Sequence, residues 1–449
     1  MKKILLLISL FYLNKVYSQP VTVNRDTEIE QMVQEINPDS LRSYITHLVA
    51  FGTRHTLSSQ TNPKTGIGAA RNYVLQKFRE FASKSDGRLR AFIDTVTLPA
   101  DGKRINRPVL LGNVMGVLKG TDPNDNRILI ISGHLDSRRT DVMDSVGIAP
   151  GADDDGSGTA AVMECARVMS QHSFPATVIF VAVSGEEQGL LGSTFLANKA
   201  KKENWNVAAM LNNDIVGSNN SSGTNIINNT EIRVFSEGIP HYKTEEQIRR
   251  IISLGLENDG NSRQLARYVK ETAERYVDNL HVILEYRTDR FLRGGDHLPF
   301  LNNGFTAVRL TEMNENFTRQ HQDIREENGI SYGDLTEHID FEYLRKNTGV
   351  NLSTLANLAK APGKPQNVKI EVRQLTNFTD LKWEAPANKK VSGYYVLIRK
   401  TAESIWQKKF FTKDTSIRLP YSKDNYFFAV EAVSETGNES LPVVPGIGR

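Results

Sequence analysis

The spacing of hydrophobic residues changes along this chain, and each spacing predicts a different kind of secondary structure. Residues 35–85 have mainly helical spacing, interrupted by a loop at 52–68. From there to residue 360, short apolar runs alternate with helical segments. The runs at 128–132 and Thr177–Val183 lack polar alternation, which is typical of strands buried on both faces of a parallel sheet.

The same alternation predicts the remaining elements of this part of the chain. We predict helices over 159–170, 190–201, 262–277 and 341–360, and strands over 207–213, 281–285 and 307–311. Strands that alternate with helices predict an α/β fold, with a mostly parallel mixed sheet flanked by helices. Such folds place their sites at the carboxyl ends of strands, so polar residues directly after a strand are the first candidates for chemistry.

After residue 360 the period changes to two. A proline- and glycine-containing linker at 361–366 precedes short strands at 368–372, 381–383, 395–399 and 426–430. We predict a small all-β sandwich over 367–449. Its core pattern resembles the fibronectin type III family at Trp383, Gly393, Tyr394, Tyr395, Val396, Tyr426, Phe428, Val430 and Val433. Its role is either a spacer or stabilising domain, or contact with a protein or carbohydrate surface.

The N-terminus has the charged, apolar and polar sections of a secretory signal peptide. Lys2 and Lys3 precede an apolar run at 4–13, which is about half the ~20 residues needed to cross a bilayer. We therefore expect residues 1–19 to be removed, leaving no lasting membrane span, and the protein to be exported to the periplasm or the extracellular space. Residues 20–360 would then form the main domain, since 449 residues exceed what one core usually organises.

Composition narrows the possible partners. The 55 basic and 52 acidic residues leave a net charge of +3, which gives no reason to expect a nucleic-acid partner. Cys165 is the only cysteine, so the chain cannot form an intramolecular disulfide.

Three motifs contain acidic residues or a histidine; two of them follow predicted strands, and the third precedes a predicted helix. His134 and Asp136 directly follow the strand at 128–132, and the pair could be a metal ligand and its orienting carboxylate, or could simply satisfy a turn. The acidic triplet 153–155 would repel itself without a cation, although at least one member is expected to cap the helix that follows. Glu186 and Glu187 follow the strand Thr177–Val183, where one carboxylate could bind a metal while its neighbour accepts a proton.

Two further candidates lie beyond these motifs. Asp214 follows the strand at 207–213, and His321 lies about ten residues after the strand at 307–311. Two imidazoles with several carboxylates and no thiolate suit zinc at a catalytic site. A carboxylate that bridges could hold two zinc ions about 3.5–4 Å apart.

In order and spacing, these motifs resemble the bacterial di-zinc aminopeptidases, to which glutamate carboxypeptidase, glutaminyl cyclase and the transferrin receptor are distantly related. The resemblance rests on GHLDS, APGADDDGSG, SGEEQGLLGS, LNNDIVG, GGDH and RQH, and it covers about residues 110–325. It implies a zinc aminopeptidase-like fold, two zinc ions, and peptides as substrates.

The resemblance also implies a role for each matching residue. Glu186 would be the general base, and Asp154 would bridge the two zinc ions. The other implied ligands are His134, Glu187, Asp214 and His321. Asp136 would orient His134, and Asp296 would support the site without binding metal. For the substrate pocket we consider Tyr286, Arg290, Phe291 and Arg293.

Three other functions stay open at this point. Cleavage from the C-terminus would need cationic groups, which Arg290, Arg293 and Arg309 could supply. Glutaminyl cyclisation would need only one zinc ion. A receptor-like protein without catalysis is the least expected, because every implied ligand is present.

Overall fold

The computed structural model describes residues 23–373, 375–387 and 391–448. The predicted signal peptide at 1–19 lies outside these residues. Within them, none of the helices combines the length and the apolar character that spanning a bilayer requires.

Three helices begin the described chain: α1 (Thr27–Gln34), α2 (Pro38–Ala50) and α3 (Gly66–Ala82). Side-chain caps explain where the first two start. The Asp26 side chain precedes α1 and accepts from the N–H of Glu28. The Asn37 side chain precedes α2 and accepts from the N–H of Asp39. Pro38 occupies the first turn of α2, where its missing N–H costs nothing. The loop between α2 and α3 falls where the sequence predicts it.

The main part of the chain continues with alternating strands and helices. The strands are β1 (Leu89–Leu98), β2 (Val109–Leu118), β3 (Arg127–His134), β4 (Thr177–Val183), β5 (Asn206–Asn213), β6 (Glu231–Phe235), β7 (His281–Glu285), β8 (Ala307–Glu312), β9 (Arg325–Glu327) and β10 (Ile330–Tyr332). The helices are α4 (Gly156–Met169), α5 (Leu191–Lys202), α6 (Glu245–Ser253), α7 (Asn261–Tyr276), α8 (His297–Asn302) and α9 (Phe341–Lys360), with a 3₁₀ turn at Thr336–His338.

Eight of these strands form one mixed sheet in the order β1-β2-β4-β3-β5-β8-β6-β7. The central neighbours β4, β3, β5 and β8 are parallel. Strands β1 and β2 join antiparallel at one side, and β6 joins antiparallel to β8 at the other. The predicted α/β class is confirmed, with a large mixed sheet flanked by helices.

The sequence did not predict β1, β2 or β6. Strand β1 is only partly buried, so its pattern lacks the continuous apolar run of a central strand. Strand β6 has five residues with charged Glu231 and Arg233 among them, and it is recognisable only through its pairing with β7 and β8.

The chain beyond α9 forms two small sheets. The strands are β11 (Gln366–Glu371), β12 (Thr379–Glu384), β13 (Gly393–Lys400), β14 (Lys408–Thr412), β15 (Ser416–Leu419), β16 (Tyr426–Val433) and β17 (Gly446–Gly448). One sheet has the order β15-β12-β11-β17 and the other β14-β13-β16. Trp383, Tyr394, Val396, Phe428 and Val430 pack in their shared core, so the alternating positions of the sequence face inward. The fibronectin type III likeness stays a prediction.

These sheets are joined to the main part by buried polar contacts. Glu439 is buried and pairs with Arg275 of α7 at 2.5 Å, and Asn357 of α9 donates to it at 3.0 Å. At a second point, Arg399 pairs with Asp259 at 2.5 Å. Since unpaired buried charges are costly, these pairs fix how the two parts meet.

Glu439 has several charged and polar partners at this junction. Burial opposes its ionisation, but the cations of Lys409 and Arg275 lower the pKa of Glu439 to about 2. A folded-state pKa below the ordinary value means that the ionised carboxylate stabilises the fold above about pH 4.5 and that this contribution is lost as pH falls toward 2.

We expect Glu439→Gln to lower the free energy of unfolding by about 3–5 kcal/mol, because it leaves buried cations with too few partners. Stability should also lose part of its dependence on pH between about 2 and 4.5. Urea denaturation at several pH values measures both. Glu435→Gln, an exposed neighbour, is the control and should change stability by less than about 0.5 kcal/mol. Equal stability of the two variants would contradict the assigned role.

Candidate metal centre

The parallel centre of the sheet brings distant residues to one edge. His134 is the last residue of β3, Asp214 follows β5, and Glu187 lies four residues after β4. His321 comes from the loop after β8, and Asp154 precedes α4. Because β4, β3, β5 and β8 are parallel neighbours, their carboxyl ends meet at the same place.

Five of the predicted site residues form two groups that share Asp154. One group is His134, Asp154 and Asp214, and the other is Asp154, Glu187 and His321; in each group the potential ligand atoms lie within 4.8 Å of one another. Nε2 of His134 is 3.1 Å from Oδ1 of Asp154, and Nε2 of His321 is 2.9 Å from Oδ2. The two oxygens of one carboxylate therefore face two different histidines.

The electrostatics of this cluster favour bound positive charge. Burial would lower the pKa of both histidines, but the carboxylates around them raise it, to about 10 for His321. Burial would raise the pKa of Asp154 and Asp214, but the neighbouring cationic groups hold both below the ordinary range. Closely spaced carboxylates and imidazoles with no thiolate fit one divalent ion in each group, with Asp154 between them.

The acidic triplet divides into three separate roles. Asp155 caps α4 by accepting from the N–H of Gly158, and it also accepts from the N–H of His134 at 2.7 Å. The expectation that one member caps the helix is confirmed. Asp153 accepts from the N–H of Gly217 at 2.9 Å. Only Asp154 belongs to the donor groups.

The resemblance implies that Asp136 orients His134, but the Asp136 carboxylate has a different task. Its backbone carbonyl, and not its carboxylate, is the nearest acceptor to Nδ1 of His134, at 3.0 Å against 3.8 Å. The carboxylate instead accepts from the N–H groups of Gly185, Glu186 and Glu187 at 2.8, 3.2 and 3.1 Å. Asp136 thus fixes the loop that presents the two glutamates.

Glu186 lies in the same cavity but in neither donor group. The cavity has a volume of about 620 Å³ and is lined by Glu186 together with all five donor residues. Burial raises the pKa of Glu186 well above its ordinary value, and the nearby carboxylates of Asp214 and Glu187 add to the rise. This carboxylate is therefore placed to take and return a proton.

Asp296, the second expected supporting residue, is fully buried beside the cluster. Burial raises its pKa to about 7, while the charge of His134 opposes the rise. Asp296 belongs to neither donor group, in keeping with support without ligation.

Three residues hold the cluster in a role that the sequence analysis did not assign to them. Asp334 accepts from the N–H groups of Asp153 and Asp154, at 2.9 and 2.8 Å. Its position in a segment without periodicity gave no signal. Arg138 lies 3.2 Å from Glu187 and 2.7 Å from Nδ1 of His321.

Arg309 is the third, and the structure corrects its proposed use for a substrate carboxylate. It is fully buried and pairs with Asp214 at 2.9 Å and with Asp289 at 3.4 Å. A charged residue inside the apolar strand β8 was the available signal, because an interior arginine requires a partner.

The four residues considered for the substrate pocket lie in different places. Arg290 and Arg293 line the cavity that contains the donor groups, and Phe291 lines an adjoining cavity. Tyr286 does not line either one. Its ring lies 4.1 Å from the guanidinium of Arg263, and its hydroxyl donates to the Ser404 carbonyl at 3.0 Å. Tyr286 therefore contributes to the junction with the C-terminal sheets, and its part in a substrate pocket stays a prediction.

Comparison with known proteins supplies the family. Residues 113–343, just over half of the chain, match Peptidase family M28. A protein of the fungus Leptosphaeria maculans, described as a probable zinc metalloprotease, is 44% identical over 421 residues, which cover 94% of this chain and 97% of that protein. This named relative is fungal, whereas the sequence motifs resemble bacterial enzymes.

Solved bacterial structures share the fold. The LapA aminopeptidase of Legionella pneumophila aligns with a TM-score of 0.52 at 19% identity, covering 77% of this chain and 78% of that one. An aminopeptidase from Aneurinibacillus sp. strain AM-1 aligns with a TM-score of 0.52 at 15% identity, covering 74% and 96%. The family match, and a relative with high coverage of both chains, lead to one conclusion: this chain belongs to Peptidase family M28.

Proposed function

We propose that this protein is an exported di-zinc aminopeptidase that cuts residues from the N-terminus of peptides. The observation that carries the proposal is the pair of donor groups sharing Asp154, with Glu186 beside them and outside both. The fungal relative, a probable zinc metalloprotease, supports zinc, and the two solved aminopeptidases that share the fold support an aminopeptidase.

The donor set suits zinc. Each group offers one imidazole nitrogen and two carboxylates, which leaves room for a further ligand, as in catalytic zinc sites. Zinc bound there would polarise the scissile carbonyl and make water a better nucleophile near neutral pH.

The side chains of this chain then have separate tasks. Glu186 takes the proton of the attacking water on its carboxylate and passes it to the leaving amine. Asp136 holds the Glu186 backbone N–H, which keeps that carboxylate in position. The carboxylate oxygens that line this cavity, with those of Glu186 among them, are acceptors for the N–H groups of a free peptide N-terminus.

The alternatives make different demands on the same cavity. C-terminal cleavage requires cations at the substrate carboxylate, and Arg290 and Arg293 do line the cavity. Glutaminyl cyclisation would leave one donor group without use, and a receptor-like role would leave both. Export rests on Lys2, Lys3 and the apolar run at 4–13, and the N-terminal sequence of protein recovered outside the cytoplasm tests it.

Matched peptides test the direction of cleavage. Purified protein is given peptides with a free or acetylated N-terminus, each as the free acid and as the C-terminal amide, with chelator and after zinc is restored. We expect free N-termini to be required, C-terminal amides to be tolerated, and chelation to abolish activity reversibly. Release of C-terminal residues from acetylated peptides would instead establish a carboxypeptidase.

Glu186→Gln tests the general base. We expect kcat to fall by about 10²–10⁴-fold, because the amide cannot accept the proton. Zinc content, measured by mass spectrometry of the metal, should stay at two ions per chain because Glu186 lies outside both donor groups. The control Glu80→Gln changes an exposed carboxylate and should keep full activity. Undiminished turnover in Glu186→Gln would reject this role.

Asp136→Asn tests whether the loop carrying Glu186 and Glu187 must be held. An amide cannot accept all the N–H groups that the carboxylate holds, so we expect zinc affinity or kcat to fall by about 10–100-fold. Competition with a fluorescent zinc chelator measures the affinity. Glu371→Gln is the control, since that carboxylate also accepts backbone N–H groups but lies in the C-terminal sheets. An equal, small effect of both changes would count against positioning by Asp136.

A further inference from the structure

A second cavity adjoins the one that contains the metal-donor groups. The two have Arg290, Arg293 and Phe317 in common, so these three side chains lie between them. The outer cavity has a volume of about 350 Å³, which is enough for one or two amino-acid residues of a peptide. We call it the outer cavity.

The outer cavity has an excess of positive charge. Its lining includes four arginines and two glutamates, an excess of two positive charges: Arg233, Arg287, Arg290, Arg293, Glu285 and Glu315. A single carboxylate, Glu315, serves three of these arginines, at 2.9 Å for Arg233, 3.1 Å for Arg290 and 3.2 Å for Arg293. Arg290 also pairs with Asp289 at 3.3 Å, and Arg233 also donates to the Glu312 carbonyl. Arg293 is 34% exposed and bonds to Glu315 and Gln320 through Nη1, which leaves the rest of its guanidinium group for a ligand.

Arg287 adds a cation that the surrounding protein does not neutralise. It is exposed, and within the described part of the chain its guanidinium has no ion pair with a carboxylate. It lies instead 5.5 Å from the centre of the Phe291 ring. An arginine beside an aromatic face keeps its planar N–H groups available for two parallel bonds to a carboxylate.

Two exposed aromatic rings accompany these cations. Phe291 is 73% exposed and Phe317 is 60% exposed. Single exposed apolar residues need no explanation, but here two rings line the same cavity as the arginines, next to the cavity of the donor groups. Aromatic residues together with arginine are the combination enriched at binding sites.

We propose that the outer cavity is a subsite for a peptide carboxylate, so that the enzyme prefers peptides bearing an acidic side chain or a free C-terminus near the bond it cuts. The inference deepens the proposed peptidase function and rests on it. The free N-terminus of the substrate lies in the inner cavity beside Glu186, and Arg287 and Arg293 hold the carboxylate in the outer one. The phenylalanine rings contact the peptide between these two charged ends.

Substrate pairs that differ only in charge test this subsite. Short peptides are compared with Glu or Gln at the first, second or third position, and as the free acid or the amide. We expect kcat/KM to be about tenfold higher for at least one charged member, chiefly through KM, as for a charge-assisted bond. The position with the largest ratio identifies whether a side chain or the C-terminus supplies the carboxylate. The ratio should fall in high salt, since ions screen exposed charges.

The double variant Arg287→Gln, Arg293→Gln should bring this ratio close to one. Both side chains are partly or fully exposed, so the fold should tolerate the change, which circular dichroism checks. Arg249→Gln, on the exposed helix α6, is the matched control and should keep the wild-type ratio. A ratio that persists in the double variant, or that never exceeds one in the wild type, overturns the proposal.

Binding separates this inference from the function on which it rests. Calorimetry with the Glu186→Gln protein measures affinity for the Glu and Gln peptides without turnover. If wild-type protein cuts neutral peptides but neither kinetics nor binding depends on the carboxylate, the subsite is wrong and the peptidase function stands. If no peptide is cut, the function fails, and the calorimetric ratio still decides whether the outer cavity selects carboxylates.

Discussion

The two oxygens of the Asp154 carboxylate, each facing a different histidine, are the constraint on which the site depends. Oδ1 lies 3.1 Å from His134 and Oδ2 lies 2.9 Å from His321. His134 ends β3, and His321 lies in the loop after β8, far away in sequence. A shared carboxylate requires both imidazoles to be placed to within a fraction of an ångström, and the parallel centre of the sheet fixes the positions from which this strand end and this loop start.

Other carboxylates hold the loops around Asp154 by accepting hydrogen bonds from backbone N–H groups. Asp136 binds the loop with Glu186 and Glu187, Asp155 binds the N–H of His134, and Asp334 binds those of Asp153 and Asp154. Each buried carboxylate satisfies main-chain donors that an irregular loop would otherwise leave unpaired. The acidic residues outside the donor groups therefore maintain the geometry of those within them.

Ion pairs and hydrogen bonds join the C-terminal sheets to the main part of the protein. Glu439 and Arg399 reach into pairs with Arg275 and Asp259 of the main part, and Tyr286 bonds to Ser404. The residue Tyr286 lies only four positions before Arg290, which lines both cavities. The segment that lines the outer cavity is thus anchored on the C-terminal sheets. This contact stabilises the main part of the protein and involves no outside partner.

The sequence alone determined the α/β class, the helix Phe341–Lys360, the strand Thr177–Val183, and the positions of His134, Glu187 and Asp214 at or shortly after strand ends. Periodicity and local motifs carry this information, because burial on one or both faces dictates residue type. Only the tertiary structure decided which acidic residue of 153–155 joins the donor groups, that the Asp136 carboxylate holds a loop, and that Tyr286 lies in a junction. Those outcomes depend on partners distant in sequence, such as Asp334 and Ser404, and local patterns contain no information about contacts of that range.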